Sequence, residues 1–431
     1  MTGFGFNTKT PAAYQSVNSE EEPLSTNEYE QEENQVQEII PCPSKELTQT
    51  WANGLRGLAA FCIMIHHSIV AFNSEATLNT KDPDGTVHFW QWPILRAVIS
   101  PTFLVNVFFV LSGYVLSYRT LYRVGQGHLE AGPVQSSLAS ASLRRIFRLL
   151  PPPVTSIAIS HIILLSGGFD LTRAKKVCSW WGPAYTPRWI TSNWLEQTLE
   201  SLKSMAVIWY RTETESQYNN VLWTMPEELR GSMNVFLFLL ATSSLKRRFR
   251  AMLAVGLGLV NLFMKEMSIL PFISGILIAE LQVSQSERIP FFEMKSSSWS
   301  LWMFRVMSRF YNKDDFQEYR VKTLYYIMGG TLTVLSISQC TTAKRILSTR
   351  PLQFLGRISF SLYVIHVPLL LSLGVSLVSN FRDLGVSNTF SIFLMLPFWV
   401  GLVIMFSWLM TRFVDEKAIA FSRALERYWS V

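Results

Sequence analysis

The chain has 431 residues, 49% of them hydrophobic and only 16% charged, with 29 phenylalanines, 14 tryptophans and a formal net charge of +7. A soluble chain of this length would divide into two or three domains with more charge. This balance excludes that reading and indicates a polytopic membrane protein.

The first fifty residues carry nine acidic side chains against Lys9 and Lys45, a net −7, which leaves 36 basic and 22 acidic residues, +14, on the remainder. That remainder suits an anionic membrane surface or a phosphate-bearing ligand. The opening stretch is polar, lacks an apolar core, and reads as a disordered cytosolic tail rather than a signal peptide.

From Gly54 the sequence GLRGLAAFCIMIHHSIVAF sets Arg56, His66 and His67 in an otherwise apolar segment. Eleven residues at helical pitch turn about 1100°, three turns plus about 20°, so Arg56 and His67 share a face about 16 Å apart while His66 falls about 80° away. An ionisable group at membrane depth costs about 2–3 kcal/mol and by default marks a pathway or a reaction site.

Further apolar segments lie near 100–118, 149–167, 223–245, 251–264, 268–283, 323–340, 358–378 and 391–411, nine in all with the first. Arg119, Arg123, Arg144, Arg145 and Arg148 crowd one connection and Lys246, Arg247, Arg248 and Arg250 another, which places both in the cytoplasm. Segments 74–99 and 168–222 then lie on the far side, the latter with Trp180, Trp181, Trp189 and Trp194. Lys344, Arg345, Arg350 and Arg357 face the cytoplasm only if a further crossing precedes them. The only candidate is WSLWMFRVMSRF at 299–310, otherwise an interfacial helix.

The expected fold is therefore an all-α transmembrane bundle of about ten spans, nine if 299–310 is interfacial, with both termini cytoplasmic. It comprises a tail at 1–50, a membrane domain at 51–412 and a short cytoplasmic tail at 413–431. The Gly-, Ser- and Ala-rich stretch Gly125–Ser142 reads as a flexible loop, with His128 a solvated bystander. Cys42, Cys62, Cys178 and Cys340 have no metal spacing, only Cys178 falls on the far side, and no internal disulfide is expected. There is no Gly-rich phosphate loop and no repeat of fixed period.

Five segments occur in order: GLRGLAAFCIMIHH, FFVLSGYVLS, RRIFRLLPP, LWTMPEELRGSM and FLGRISFSLYVIHVPLL. Together they resemble the acyltransferase type 3 family of integral membrane acyltransferases, particularly its fungal branch, over most of residues 50–412. The family's first-helix pattern, an Arg, ten residues and a His, selects Arg56 and His67 and passes over His66. The resemblance implies transfer of an acyl group, commonly acetyl, from acyl-CoA (acetyl-CoA) on the cytoplasmic side to a hydroxyl of a sugar, glycan, lipid or secondary metabolite. No permanently bound cofactor, metal or nucleic-acid partner is expected.

Within that resemblance His67 is the catalytic histidine, as general base or transient acyl carrier, because an imidazole exchanges protons near neutrality. Arg56 either binds a coenzyme A phosphate, stabilises the oxyanion of the attacked thioester, or snorkels as a plain anchor. Arg145 and Arg148 match the family's pair of arginines separated by two residues and form a fork for phosphate; ordinary positive-inside charge explains them nearly as well. Glu228 aligns with the family's acidic position, to orient an acceptor hydroxyl or polarise His67, whereas a pair with Arg230 is the structural alternative. Glu227 leaves open which carboxylate points inward.

Ser112 and Gly113 form a small site beside the donor, or simply a tight helix contact. Ser361, Tyr363 and His366 line the donor or acceptor cavity in family terms. The bland account makes His366 a buried ring satisfied by Ser361 or a carbonyl, and His161 is structural. Competing functions are a transporter of small anions or metabolites, in which Arg56 and His67 bind or relay protons, and a catalytically inactive family member serving as scaffold.

Overall fold

The computed structural model describes residues 45–73, 100–125, 131–207, 209, 217–286 and 315–429. Expectations for the acidic tail before 45, the segment 74–99 and the candidate crossing at 299–310 lie outside them. Every regular element among the described residues is helical. In chain order they are α1 (Lys45–Phe72), α2 (Pro101–Gly125), α3 (Ala131–Leu149), α4 (Pro151–Leu165), α5 (Leu171–Val177), α6 (Trp181–Tyr185), α7 (Trp194–Val207), α8 (Thr224–Thr242), α9 (Arg247–Phe263), α10 (Leu270–Ser286), α11 (Asp315–Gln339), α12 (Thr341–Leu347), α13 (Arg350–Leu369), α14 (Val375–Asp383), α15 (Asn388–Met410) and α16 (Glu416–Trp429). A 3-10 turn at Asn220–Trp223 leads into α8, and π-helical turns at Leu370–Gly374 and Thr411–Asp415 join α13 to α14 and α15 to α16.

Five of these helical stretches are long and apolar enough to cross a membrane: Thr50–Phe72, Pro101–Gly125, Val134–Leu165, Arg350–Asp383 and Asn388–Tyr428. Ten crossings are not reached by that measure. The other expected spans fold as α8, α9, α10 and α11, which are shorter or carry charged and polar residues along part of their length. Leu270–Ser284 is apolar but short.

One further expectation changes. The stretch Gly125–Ser142 is helical from Ala131, not a loop, because α3 packs along α16: Ser140 and Arg144 both bond Glu426, the latter at 2.6 Å. That packing outweighs the weak intrinsic preference of a Ser-rich sequence. Residues 416–429, within the stretch expected as a short tail, form a helix that continues from α15. Helix α4 opens on Pro151, which suits a first helical position where no amide partner is needed.

Helix α2 is surrounded by α8, α10 and α11. Gly113 meets the backbone of Phe272 on α10, where any side chain would overlap it. The closest approach nearer the site is between α1 and α13. A Cβ on Gly57 would overlap the backbone at Gly356, and one on Gly356 would overlap Asn53. At the same end Gln353 Nε2 donates to the Thr50 carbonyl at 2.7 Å, and the Thr50 and Ser348 hydroxyls bond at 3.0 Å. Further along, His67 meets His366. Gly57 to His67 and Gly356 to His366 are equal steps in the same direction, so the two helices run parallel with their backbones nearly touching.

Small residues at such crossings allow van der Waals packing that lipid tails cannot replace. Gly57→Ala and Gly356→Ala are each expected to cost about 1–3 kcal/mol through overpacking. Gly401→Ala, at a position with open space around it, should be nearly neutral. Thermal unfolding of the detergent-solubilised protein measures the contrast, and equal effects at all three positions would contradict the close contact.

Candidate active site

A cavity of about 610 Å³, including its open mouth, lies between α1, α2, α3, α8 and α13. Arg56, Arg145, Arg148, Glu228 and Ser112 form its polar part, while Val105, Phe108, Phe109, Phe360 and Met225 supply apolar walls.

The charges are arranged in pairs. Glu228 is ion-paired with the Arg145 guanidinium and accepts from Ser112 Oγ at 2.6 Å; Arg145 Nε also donates to Ser232 Oγ at 3.2 Å. Both side chains of the pair are 13% exposed. Helix α8 thus turns Glu228 into the cavity, while Glu227, outside it, lies 3.8 Å from the exposed Arg230. The expected alternative of a Glu228–Arg230 pair is replaced by one across helices. Arg148 is 42% exposed and its Nε lies 3.6 Å from Asp415 Oδ1. Arg56, half-buried in the cavity wall, has no hydrogen bond or ion pair to any described residue.

At another wall Tyr363 accepts from Thr224 Oγ1 at 3.1 Å and donates to the Val221 carbonyl at 3.3 Å. Its ring centroid is 6.0 Å from that of His366. His366 is fully buried, and its Nε2 lies 2.8 Å from His67 Nδ1 while its Nδ1 lies 3.1 Å from the Leu362 carbonyl. The two imidazole planes are within 6° and their centroids 5.1 Å apart. With a nitrogen–nitrogen contact of 2.8 Å, this is an end-to-end hydrogen bond in one plane rather than a stack.

The proton positions follow from chemistry. A carbonyl only accepts, so His366 Nδ1 carries the hydrogen; the neutral ring's Nε2 then accepts from His67 Nδ1. His67 in its neutral form is left with its lone pair on Nε2. His67 does not itself line the cavity, but stands beyond Tyr363 behind His366.

Sequence explains why His366 is held there. Pro368 has no amide hydrogen to give to the Val364 carbonyl, one turn earlier. That carbonyl instead accepts from Ser156 Oγ and Asn219 Nδ2, each at 2.6 Å, which pins α4 and the 3-10 turn to α13 two residues before His366. The other face of His67 is covered by Trp181, with centroids 5.3 Å apart and planes 19° from parallel. Ser179, two residues before Trp181, bonds the Ala71 carbonyl through its amide at 2.8 Å and the Val70 carbonyl through its hydroxyl at 2.7 Å, tying this segment to the end of α1.

The remaining expected site residues divide. Ser112 joins the cavity through Glu228, whereas Gly113 faces away and serves the α2–α10 contact. Ser361 is buried away from the cavity and accepts from Thr411 Oγ1 at 2.9 Å, so it neither lines the cavity nor supports His366. His66 is buried beside His67 with its ring 68° to it, and His161 bonds Thr198. Sequence reasoning missed Trp181, which reads as one of several interface tryptophans, and Asp415, which follows the last family-like segment. An acidic residue, Asp415, at the end of a long apolar run and followed by Glu416, was the available signal for the latter.

The model of the family described as an acyltransferase domain matches residues 49–412. The chain is 26% identical over 409 residues to O-acetyltransferase PaAT-1 of Phomopsis amygdali, covering 84% of this chain and 80% of that protein. It is 24% identical over 413 residues to acyltransferase clz18 of Cochliobolus lunatus, covering 79% and 86%. It is 22% identical over 418 residues to acyltransferase R4 of a Phoma species, covering 80% and 88%. No solved structure matches.

Two outcomes test this geometry. Glu228→Gln should lower stability by about 1–3 kcal/mol, since it leaves Arg145 without its counter-charge, whereas Ser112→Ala should cost less; chemical unfolding in detergent measures both. Burial pushes the Cys178 thiol up to about 12, against an opposing effect of Arg382. Its thiolate at pH 8 is then scarcer than that of an ordinary cysteine by about 10³-fold. Site-resolved maleimide labelling at pH 8 should be slow at Cys178 in the folded protein and fast after unfolding.

Proposed function

This chain belongs to the acyltransferase domain family, and from that premise we propose that it moves an acetyl or similarly short acyl group from acyl-CoA to a hydroxyl of a sugar, lipid or secondary metabolite. The observation that carries this reading is the pairing of an arginine-lined cavity with a hydrogen-bonded His67–His366 dyad one aromatic ring away. The relative named as an O-acetyltransferase supports both acetyl as the group and oxygen as the acceptor atom.

Arg56 and Arg148 bind donor phosphates, and the pantetheine arm runs along the apolar walls toward Tyr363. The eleven residues from Arg56 to His67 correspond to about 16 Å of helix, a distance an extended pantetheine arm can bridge. His67 Nε2 takes the proton of the acceptor hydroxyl as its oxygen attacks the thioester carbon. The tetrahedral intermediate collapses with cleavage of the carbon–sulfur bond, and the proton passes from His67 to the leaving thiolate. His366 accepts from His67 Nδ1 throughout, so Nε2 is the nitrogen that takes up and returns the proton. The direct route needs no acyl-histidine. The donor side is cytoplasmic by the distribution of positive charge, with both termini on that side.

The test is release of free CoA from acetyl-CoA by the purified protein in lipid nanodiscs, with and without a fractionated extract of hydroxylated metabolites. Acceptor-dependent release is expected. His67→Ala should reduce it by about 10²–10⁴-fold, the usual contribution of a general base. His366→Leu, which removes the hydrogen-bond acceptor for His67 Nδ1, should lower kcat by about 10-fold or more with donor KM little changed. Substrate flux without thioester consumption would point to the transporter reading instead, and unchanged turnover in His67→Ala would overturn the assignment of the base.

A further inference from the structure

The cavity's arginines are held in different ways. Arg145 is fixed from α8 by Glu228 and Ser232. Arg148, at the mouth, is half-exposed, and the carboxylate facing it among the described residues is Asp415. The Asp415 side chain is 5% exposed, and its Oδ1, the atom nearest Arg148, has no hydrogen-bond donor. A carboxylate taken out of water needs a compensating cation, and one that caps no amide is not explained as a local backbone device.

Its backbone setting is also unusual. Asp415 closes the π-helical turn Thr411–Asp415. Such turns insert an extra residue, re-aim the side chains that follow, and occur often at functional sites. Thr411 Oγ1 fastens the start of the turn to Ser361 on α13, and beyond it α16 lies along α3, where Glu426 bonds Arg144 and Ser140. The helix that carries Arg145 and Arg148 is therefore braced by a segment that follows residue 412, where the family match ends.

We propose that Asp415 is a positioning residue that holds the Arg148 guanidinium at the cavity mouth for the phosphates of the donor. This rests on the reading of the cavity as an acyl-CoA site. Asp415 touches no substrate. It lowers the freedom of a long side chain before the ligand arrives, and that preorganisation is expressed as donor affinity.

The experiment compares acetyl-CoA with acetyl-pantetheine, which has the same thioester and arm but none of the phosphates. In nanodiscs the wild type should favour acetyl-CoA in kcat/KM. Asp415→Asn should raise KM for acetyl-CoA by about 10-fold, the scale of losing one buried counter-charge beside the guanidinium. Its kcat, and KM for acetyl-pantetheine, should stay within about twofold, so the preference shrinks. Arg148→Gln should shrink it similarly, the double variant no further, and Asp415→Glu should restore part of it.

Should Asp415→Asn not fold, Thr411→Val retains both charges while freeing the turn, and should reduce the preference by about threefold. A preference preserved in these variants, or a fall shared equally by both donors, overturns the positioning role and leaves the acyl-CoA reading intact. A folded wild type that uses both donors equally overturns the phosphate reading of the cavity, and the proposal with it.

Discussion

The approach of α1 to α13 through Gly57 and Gly356 is the constraint on which the site depends. Parallel helices in backbone contact keep their register, so equal steps along both chains bring His67 to His366 at 2.8 Å. A side chain at either glycine would separate the helices, and a hydrogen bond between two short, stiff rings tolerates little separation. The same two helices present Arg56 and Tyr363 to the cavity, so one packing contact governs both its polar and its aromatic wall.

Electrostatics adds a second layer of order. Three arginines gathered in a partly apolar cavity would repel one another, yet each of two is set against a carboxylate from another helix: Arg145 against Glu228 and Arg148 against Asp415. Such pairs contribute little net stability once desolvation is counted, but they fix where the positive charge sits. Arg56 is the member with no described ion-pair partner, and it projects from the helix that also carries His67. The arrangement thus combines two guanidinium groups set against carboxylates with one that has none in contact among the described residues.

Aromatic and backbone chemistry complete the surroundings of the dyad. Pro368 frees a carbonyl that gathers Ser156 and Asn219 onto α13, Tyr363 separates His366 from the cavity, and Trp181 covers His67 from a segment fastened to the end of α1. These devices use residues with ordinary local roles. What makes them specific is that they converge on two imidazoles, whose hydrogens are placed by the Leu362 carbonyl and by the bond between the rings.

Membrane character, most helical segments and the family are legible along the chain, because hydropathy, charge placement and short motifs are local or linear properties. The shared face of Arg56 and His67 also followed from helical pitch alone. Partners from distant parts of the chain emerge with the packing. Glu228 could face Arg230 nearby or Arg145 far away, His366, which does bond the nearby Leu362 carbonyl, could meet His67 as well or stand without it, and the residues after 412 could stand apart from α3 or brace it. In each case the local alternative was chemically sound, and the outcome turned on which helices lie side by side, which one-dimensional periodicity does not encode.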